Sequence, residues 1–256
     1  MWLRQIALVA HDLDTVVEPL CDVLDLKVAY NDPGVAVFGL VNAVMPVGGE
    51  FLEVVQPVRD DASARRYLHR RGGDAGYMVI LQSEDAHAHR DRIMGLGARK
   101  IAEHDGSYVF THFHPGDFGG VLTSVDSVTG VEDWFAPDSD WPPAGKDWRN
   151  ARSDNATGIR AVAIQSKAPA KLAERWAELL QGEIVMEDDG PELRMARGVI
   201  RFVDPVDEDG TGVVGIDIAM RDRDKALDTA QRRGLPVTGH TVRICGCDFH
   251  LSEATG

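Results

Sequence analysis

Residues 112–126 read HFHPGDFGGVLTSVD, and this stretch decides the fold because it contains the end of one strand, a turn and the next strand. Residues 115–120 are rich in proline, glycine and aspartate, the residues that favour tight turns. Residues 121–125 are apolar or small enough for a strand that returns along its neighbour. His112 and His114 stand just before the turn, which raises the question of whether this hairpin forms the rim of a metal site.

The elements that precede this hairpin repeat along the chain. Residues 4–30 predict a strand, a helix and a strand, and two further strands are predicted at 35–41 and 50–55, which gives a βαβββ unit. The same order recurs from residues 76, 158 and 212. We therefore predict an α+β fold with four βαβββ units. They form two domains, 1–129 and 158–256, joined by a linker over 130–157.

Local signals predict how some of these elements begin and how they are connected. Asp12 or Asp14 is expected near the start of the first helix, and Ser83 is expected to cap the helix of the second unit, since short polar side chains accept hydrogen bonds from free backbone amides there. The run RRYLHRRGG at 65–73 is interpreted as a basic, solvated connector.

The linker contains Trp134, Trp141 and Trp148 at a seven-residue spacing. Pro142 and Pro143 interrupt any helix that this spacing would favour. We therefore predict an extended linker whose tryptophans fix it to the domains. A lid over a pocket is the alternative.

Composition narrows the class of protein. The 27 basic and 41 acidic residues give a net charge of −14, which argues against a nucleic acid or an anionic membrane as partner. The cysteines (Cys21, Cys245 and Cys247) lack the number and spacing of a disulfide framework. No run is as long and apolar as a membrane span, and no signal-peptide pattern opens the chain. These features predict a cytoplasmic protein with a small-molecule partner, and leave a homodimer open.

The paired units carry a family resemblance. The first strand QIALVAHDLD (5–14), the strand FLEVVQP (51–57) and the hairpin HPGDFGGVLTSVD (114–126) resemble the vicinal oxygen chelate superfamily, which includes glyoxalase I and methylmalonyl-CoA epimerase. The resemblance implies curved half-barrel sheets that enclose a pocket, and a divalent metal ion held by the first and fourth strands of each unit. Such an ion, Zn, Ni, Mn, Fe or Co, stabilises a developing enolate.

The resemblance places Gln5 and Glu53 at the ligand points of the first unit, with Glu53 as metal ligand or catalytic base. The second unit has Tyr77 and Ser124 there, which are not usual ligands for this chemistry. Two protein ligands are fewer than the three that usually hold a catalytic metal. His112 or His114 would supply a third only if the hairpin turned inward.

The third and fourth units carry different residues at the matching points. Arg160 and Arg201 stand in the third unit, and His250 stands in the fourth. Arginine binds carboxylates and phosphates, so these positions predict an anionic ligand. The alternative is that the arginines pair with acidic residues such as Asp204 or Asp217.

Two functions follow from these observations. The first is a glyoxalase- or epimerase-type lyase or isomerase that acts next to a carbonyl, with Tyr77, Ser124 and His114 as substrate contacts. The second is a metal-free protein that binds or sequesters a small compound. The incomplete ligand set favours the second function, and Glu53 on an apolar strand favours the first.

Overall fold

The structure is a computed structural model that describes residues 1–254. The first half of the chain contains two βαβββ-like modules. Module 1 comprises β1 (Trp2–Val9), α1 (Asp14–Leu24), β2 (Leu40–Val47) and β3 (Glu50–Pro57). A helix α2 (Ser63–Arg71) follows it. Module 2 comprises β4 (Ala75–Gln82), α3 (Ala86–Gly95), β5 (Lys100–His104), β6 (Tyr108–Phe113) and β7 (Leu122–Val128).

The second half repeats this order. Module 3 comprises β8 (Ala156–Ser166), α4 (Pro169–Leu180), β9 (Glu183–Glu187), β10 (Gly190–Arg194) and β11 (Val199–Val203). Module 4 comprises β12 (Thr211–Met220), α5 (Arg223–Arg232), β13 (Val237–Thr238), β14 (Thr241–Ile244) and β15 (Cys247–Glu253). The predicted α+β architecture of repeated βαβββ units is confirmed. The strand predicted directly after the first helix was wrong, because that segment forms only an isolated bridge between Tyr30 and Val44 and module 1 therefore has three strands.

The strands form two mixed sheets. One has the order β2-β3-β1-β4-β7-β6-β5, and the other has the order β13-β14-β15-β12-β8-β11-β10-β9. Within a module the hairpin strands run antiparallel, as in β6·β7, whereas the strand before the helix pairs in parallel with the last strand, as in β4·β7. A helical crossover is what allows two strands of one module to lie parallel.

Contacts between Cα atoms divide the chain into two compact units. The first unit comprises residues 1–6, 77–140 and 161–214, and the second comprises residues 7–76, 141–160 and, within the described residues, 215–254. The first unit therefore holds most of modules 2 and 3. The second holds most of modules 1 and 4. The predicted division at 1–129 and 158–256 stays a prediction.

In the first unit, Trp176 of α4 joins module 2 to module 3. Its ring lies edge-on to Phe118 at 5.0 Å and to Phe202 at 5.8 Å between centroids. Its indole Nε1 donates to the Phe118 carbonyl at 3.3 Å. All three side chains are fully buried. They form the centre of this unit's core, since close-packed aromatic rings bury much apolar surface.

The prediction of a strand at 35–41 was wrong for its first part. Residues 33–38 form a 3₁₀ helix instead, and β2 starts at Leu40. Pro33 stands at the start of this helix, where it needs no hydrogen-bond donor. The carboxylate of Asp32 accepts the Gly34 amide at 2.8 Å, so the side chain caps the turn. These local bonds outweigh the β preference of the valines that follow.

The caps of α1 and α3 also depend on aspartates. Asp12 accepts the backbone amides of Asp14 and Thr15 at 3.1 and 3.2 Å, as the sequence predicted for one of the two aspartates. The prediction of Ser83 as the α3 cap was wrong, because Asp85 accepts the Ala88 amide at 3.0 Å. The run at 65–73, interpreted as a connector, lies mostly within α2, which buries Tyr67 and Leu68.

The linker is compact over its second half, where Trp141 and Trp148 pack as predicted, whereas Trp134 is half-buried. Trp141 and Trp148 are each 1% exposed. In the second unit both rings contact Phe51 of β3, at 6.3 and 4.8 Å between centroids. Pro142 begins a short 3₁₀ helix, so this part of the linker is a turn and not the extended segment that was predicted. Among residues 1–254, no helix is long and apolar enough to cross a membrane.

Candidate functional site

Module 2 presents a face of its sheet that carries polar side chains. The register pairs Asp126 of β7 with Phe110 of β6 and with Gln82 of β4, and pairs Ser124 with His112. Cross-strand partners point to the same face of a sheet, and residues two apart on one strand do the same. These five side chains therefore share one face, which we call the polar face. All of them lie in the first unit.

Asp126 is the buried acid of the polar face. It is 1% exposed. The hydroxyl of Tyr108 donates to its Oδ2 at 2.5 Å, and the hydroxyl of Ser124 donates to its Oδ1. Burial raises the pKa of Asp126 to about 7, because the charged form loses its hydration, while the two hydroxyls and the Thr111 backbone pull the pKa down. The carboxyl can therefore gain or lose a proton near neutral pH.

Ser124 links this acid to the backbone. Its Oγ also lies 3.1 Å from the carbonyl oxygen of Thr111, which accepts the hydroxyl proton. A serine hydroxyl has one proton to donate and two lone pairs to accept. When Asp126 is protonated, the carboxyl can donate to Ser124 while Ser124 donates to Thr111. When Asp126 is ionised, Ser124 can donate to Asp126. The cluster of Tyr108, Ser124 and Asp126 thus accommodates both protonation states.

Three rings form a stacked ledge beside this cluster. Phe110 stacks on His112 with 4.6 Å between centroids and on His104 at 5.8 Å. His104 is exposed, and Phe110 and His112 are partly exposed. The register of β5 with β6 sets His104 opposite Phe110, so this ring ledge belongs to the polar face. Burial lowers the pKa of His112 to about 4, so its imidazole is neutral at pH 7.

Gln82 is fully buried at the end of β4. Within residues 1–254, neither its amide nitrogen nor its amide oxygen has a hydrogen-bond partner. Buried amides are nearly always bonded, and an unbonded one costs about 1–3 kcal/mol. Gln82 faces the same side of the sheet as its register partner Asp126.

The opposite face of module 2 is held by Arg90 of α3, which is 7% exposed. Its guanidinium donates to Thr111 Oγ1 at 2.7 Å and to the Phe110 carbonyl at 3.2 Å. It also pairs with Glu103 at 3.0 Å and with Asp105 at 2.8 Å. Arg90 thus ties α3 to β6 and to the β5–β6 hairpin, and holds the strand that carries Tyr108 and Phe110 in position.

The residues predicted in module 1 lie in different compact units. Gln5 on β1 is 1% exposed and falls in the first unit, whereas Glu53 on β3 is 6% exposed and falls in the second. Asn42 of β2 donates from Nδ2 to Glu53 Oε1 at 2.6 Å. Asn42 Oδ1 accepts the Asp32 amide at 2.8 Å, which fixes the orientation of the asparagine. The catalytic and metal-binding roles of Gln5 and Glu53 stay predictions.

The residues predicted as substrate contacts occupy varied environments. Ser124 lies on the polar face, and Tyr77 is buried at 8% exposure on β4. His114 is partly exposed, and its Nδ1 lies 3.0 Å from both Arg99 Nη2 and the Gly116 amide. His114 therefore organises the turn after β6. Contact of these residues with a substrate remains a prediction.

The predicted anion-binding residues of modules 3 and 4 lie nearer the surface. Arg160 and His250 are exposed, and His250 Nδ1 lies 2.8 Å from Thr241 Oγ1. Arg201 Nε donates to Glu192 Oε1 at 2.8 Å. The acidic partner is thus Glu192, which neither sequence alternative named. Arg201 also lines a groove of about 430 Å³ beside the β9–β10 hairpin, where Glu187, Asp188 and Asp189 contribute negative charge.

The donor set of module 2 does not fit the metal centre that the resemblance implies. Ser124 stands where a carboxylate ligand is expected, and its hydroxyl is bonded to Asp126 and Thr111. In the described part of the chain, no three His, Cys, Asp or Glu side chains converge in a way that could hold a metal ion. The groups of the polar face that can carry chemistry are therefore its own acid and hydroxyls, Asp126, Tyr108 and Ser124.

Sequence reasoning missed Asp126, Tyr108 and Gln82. Asp126 is the last residue of the stretch 112–126 and stands two residues after Ser124. Strand alternation places residues 124 and 126 on one face, so the signal was present in the sequence. Tyr108 was not detectable in this way, since its contact with Asp126 depends on the register of β6 with β7. The unbonded state of Gln82 depends on the packing around it.

No family model matches the sequence, and no curated protein is significantly similar to it. Solved structures do match. A hypothetical protein from Staphylococcus aureus superposes with a TM-score of 0.69 and 12% identity, over 98% of each chain. A mutant of 4-hydroxymandelate synthase from Streptomyces coelicolor gives 0.66 and 17% identity, over 91% of this chain and 75% of that one.

A methylmalonyl-CoA epimerase from Streptomyces coelicolor matches over 51% of this chain and 99% of its own, with a TM-score of 0.47 and 22% identity. At these identities the longer matches establish a common architecture. Together with the repeated modules, they show that the chain has the glyoxalase-like fold that the sequence predicted.

Proposed function

We propose that this protein is a small-molecule isomerase or lyase that moves a proton on a carbon next to a carbonyl group, with Asp126 as the acid–base residue. The observation that carries the proposal is a buried carboxyl that accepts hydrogen bonds from two hydroxyls on the polar face. A pKa of about 7 supports this role, because a general base works best when its pKa is near the operating pH.

The proposed step is a proton transfer, and it needs no added oxidant or metal. The ionised Asp126 takes the proton from the carbon next to the carbonyl, and the C–H electron pair forms the double bond of an enolate. The carbonyl oxygen carries the negative charge. Asp126 then returns the proton to another carbon, or to the other face of the same carbon, and the product is an isomer. If the enolate instead loses a leaving group, the reaction is that of a lyase. Tyr108 is partly exposed and bonded to Asp126, so its hydroxyl exchanges protons between this acid and the substrate side.

Glu53 is the second candidate base within this proposal. It is buried and oriented by Asn42, as a positioned carboxylate would be. A divalent ion bound by Glu53 would supply Lewis-acid stabilisation of an enolate. The proton transfer by Asp126 uses no such ion, since Tyr77 and Ser124 at the corresponding positions of module 2 are not usual metal ligands.

A binding protein without catalysis is the alternative function. The specific observation in its favour is that Tyr77 and Ser124 replace the ligand types that the resemblance implies in module 2. Under this alternative the polar face would recognise a compound and leave it unchanged.

Hydrogen–deuterium exchange at carbon tests the proposal. The protein is incubated in D₂O with CoA thioesters, hydroxy acids and aromatic ketones, and NMR follows the loss of the C–H signal next to the carbonyl. We expect Asp126→Asn to slow exchange by about 10²–10⁴-fold, the usual contribution of a general base. Asp228→Asn on the exposed face of α5 is the matched control.

Three outcomes separate the possibilities. Exchange that survives Asp126→Asn but is lost in Glu53→Gln would move the base to module 1. Exchange that stops after dialysis against a chelator and returns with Zn, Ni, Mn, Fe or Co would restore the metal hypothesis. Binding without exchange in any compound would favour the alternative function.

A further inference from the structure

The unbonded amide of Gln82 and the ring ledge together identify a class of ligand. We propose that the polar face binds a neutral, flat aromatic molecule whose edge offers an adjacent hydrogen-bond acceptor and donor to the Gln82 amide. Benzamide-like carboxamides and aromatic lactams have this edge. The inference rests on the proposed function, because the carbonyl group of the bound carboxamide or lactam would lie next to Asp126.

The amide supplies the polar half of the recognition. Gln82 is 0% exposed, and its Nε2 and Oε1 both lack partners within residues 1–254. A glutamine amide donates through nitrogen and accepts through oxygen. A ligand carboxamide or lactam can satisfy both atoms at once, because it presents a carbonyl and an N–H side by side. Forming these two bonds relieves the cost of the unbonded amide.

The rings supply the apolar half. Phe110 stacks on His112 and His104, and the imidazole of His112 is neutral. The ledge is partly open, with His104 exposed. A flat ring gains both buried area and offset stacking against such a surface.

The charge pattern of strands β4 to β7 disfavours an anionic ligand edge. The register partners on this side of β4 to β7 include no lysine or arginine. Arg90, the buried cation of module 2, lies on the opposite face against Thr111. A carboxylate placed beside Asp126 would meet a second negative charge in a dehydrated site, which is unfavourable. The recognised edge is therefore neutral.

The test measures binding of benzamide to the full chain by NMR titration or calorimetry. Benzoate lacks the donor and adds a charge, and cyclohexanecarboxamide lacks the aromatic ring, so both serve as matched probes. We expect each to bind at least about tenfold more weakly than benzamide, the effect of about 1.4 kcal/mol. Equal binding of all three, or no binding of benzamide, would overturn the proposal.

Gln82→Met provides the matched variant, since methionine is similar in length and apolar. We expect it to weaken benzamide binding by at least about tenfold. The free variant should unfold at the same or a higher temperature than the wild type, because the substitution removes an unbonded buried amide. Gln231→Met, an exposed glutamine on α5, controls for the substitution itself. Unchanged benzamide binding in Gln82→Met, or a marked loss of stability, would show that the amide is structural.

Asp126→Asn distinguishes failure of this inference from failure of the proposed function. If benzamide binding depends on Gln82 while carbon exchange is unaffected by Asp126→Asn, the ligand class stands and the acid–base role falls. If carbon exchange depends on Asp126 while benzamide binding is unchanged in Gln82→Met, the acid–base role stands and the ligand class falls.

Discussion

Asp126 and His112 respond to pH in opposite directions, although both lie on the polar face. The folded-state pKa of Asp126 is raised from 3.8 to about 7, so its contribution to stability is complete below pH 4 and is lost as the pH rises to about 7. The pKa of His112 is lowered from 6.5 to about 4, so its contribution is complete above pH 6.5 and is lost as the pH falls to about 4. Over this window the two effects partly cancel.

The first prediction isolates the contribution of Asp126. In urea titrations between pH 4 and pH 8, the free energy of unfolding of the wild type should fall by about 4 kcal/mol relative to that of Asp126→Asn, which has no proton to lose there. His112→Gln should give a difference curve of the opposite slope between pH 4 and 6.5. A flat difference for Asp126→Asn would mean that its carboxyl titrates normally.

The second prediction concerns Tyr108. The Tyr108 hydroxyl donates to Oδ2 of Asp126 at 2.5 Å and lowers the pKa of that acid. Replacing Tyr108 with phenylalanine removes this hydrogen bond, so the pKa of Asp126 should rise. The pH at which carbon exchange reaches half its maximum should therefore move above the wild-type value near 7. If the hydroxyl relays protons, the maximum rate should also fall by about tenfold or more. Tyr67→Phe, which removes a hydroxyl bonded to the Gly76 carbonyl, should leave the midpoint unchanged.

Among the elements, α4 determines how modules 2 and 3 form one core. The side chain of Trp176 contacts Phe118 and Phe202 and bonds to a backbone carbonyl. The third prediction is that Trp176→Ala lowers the free energy of unfolding by about 3–5 kcal/mol, the usual cost of emptying such a site. Met186→Ala, a side chain 68% exposed on β9, should change it by less than about 0.5 kcal/mol. Similar values for the two variants would place the core of the first unit elsewhere.

The elements also show which sequence signals were sufficient. The helix of module 3 was predictable because Leu172, Trp176, Leu179 and Leu180 repeat at helical spacing and are buried. The segment 33–38 was not, because the side-chain cap from Asp32 decides its conformation against the preference of its valines. Local hydrogen bonds of this kind leave only a weak mark on hydrophobic periodicity.

Over the whole molecule, the repeated order of strands and helices made the architecture predictable but did not specify the residues of the site. Four copies of one element order specify how strands and helices alternate, so the fold followed from pattern alone. The resemblance drew attention to the ligand points, such as Ser124. It assigned no role to Asp126, which lies on the same face of the strand as Ser124 but does not stand at one of the ligand points. A buried acid is defined by its surroundings, and those surroundings come from three strands and the register between them.

The pKa of the Asp126 carboxyl tests the central claim most directly. It can be measured from the ¹³C chemical shift of that carboxyl in labelled protein between pH 3 and 9, with Asp126→Asn used to assign the resonance. We predict a midpoint at about 7. A midpoint near the ordinary value of 3.8 would mean that Asp126 is a hydrated carboxylate, and the polar face would then have no acid–base residue.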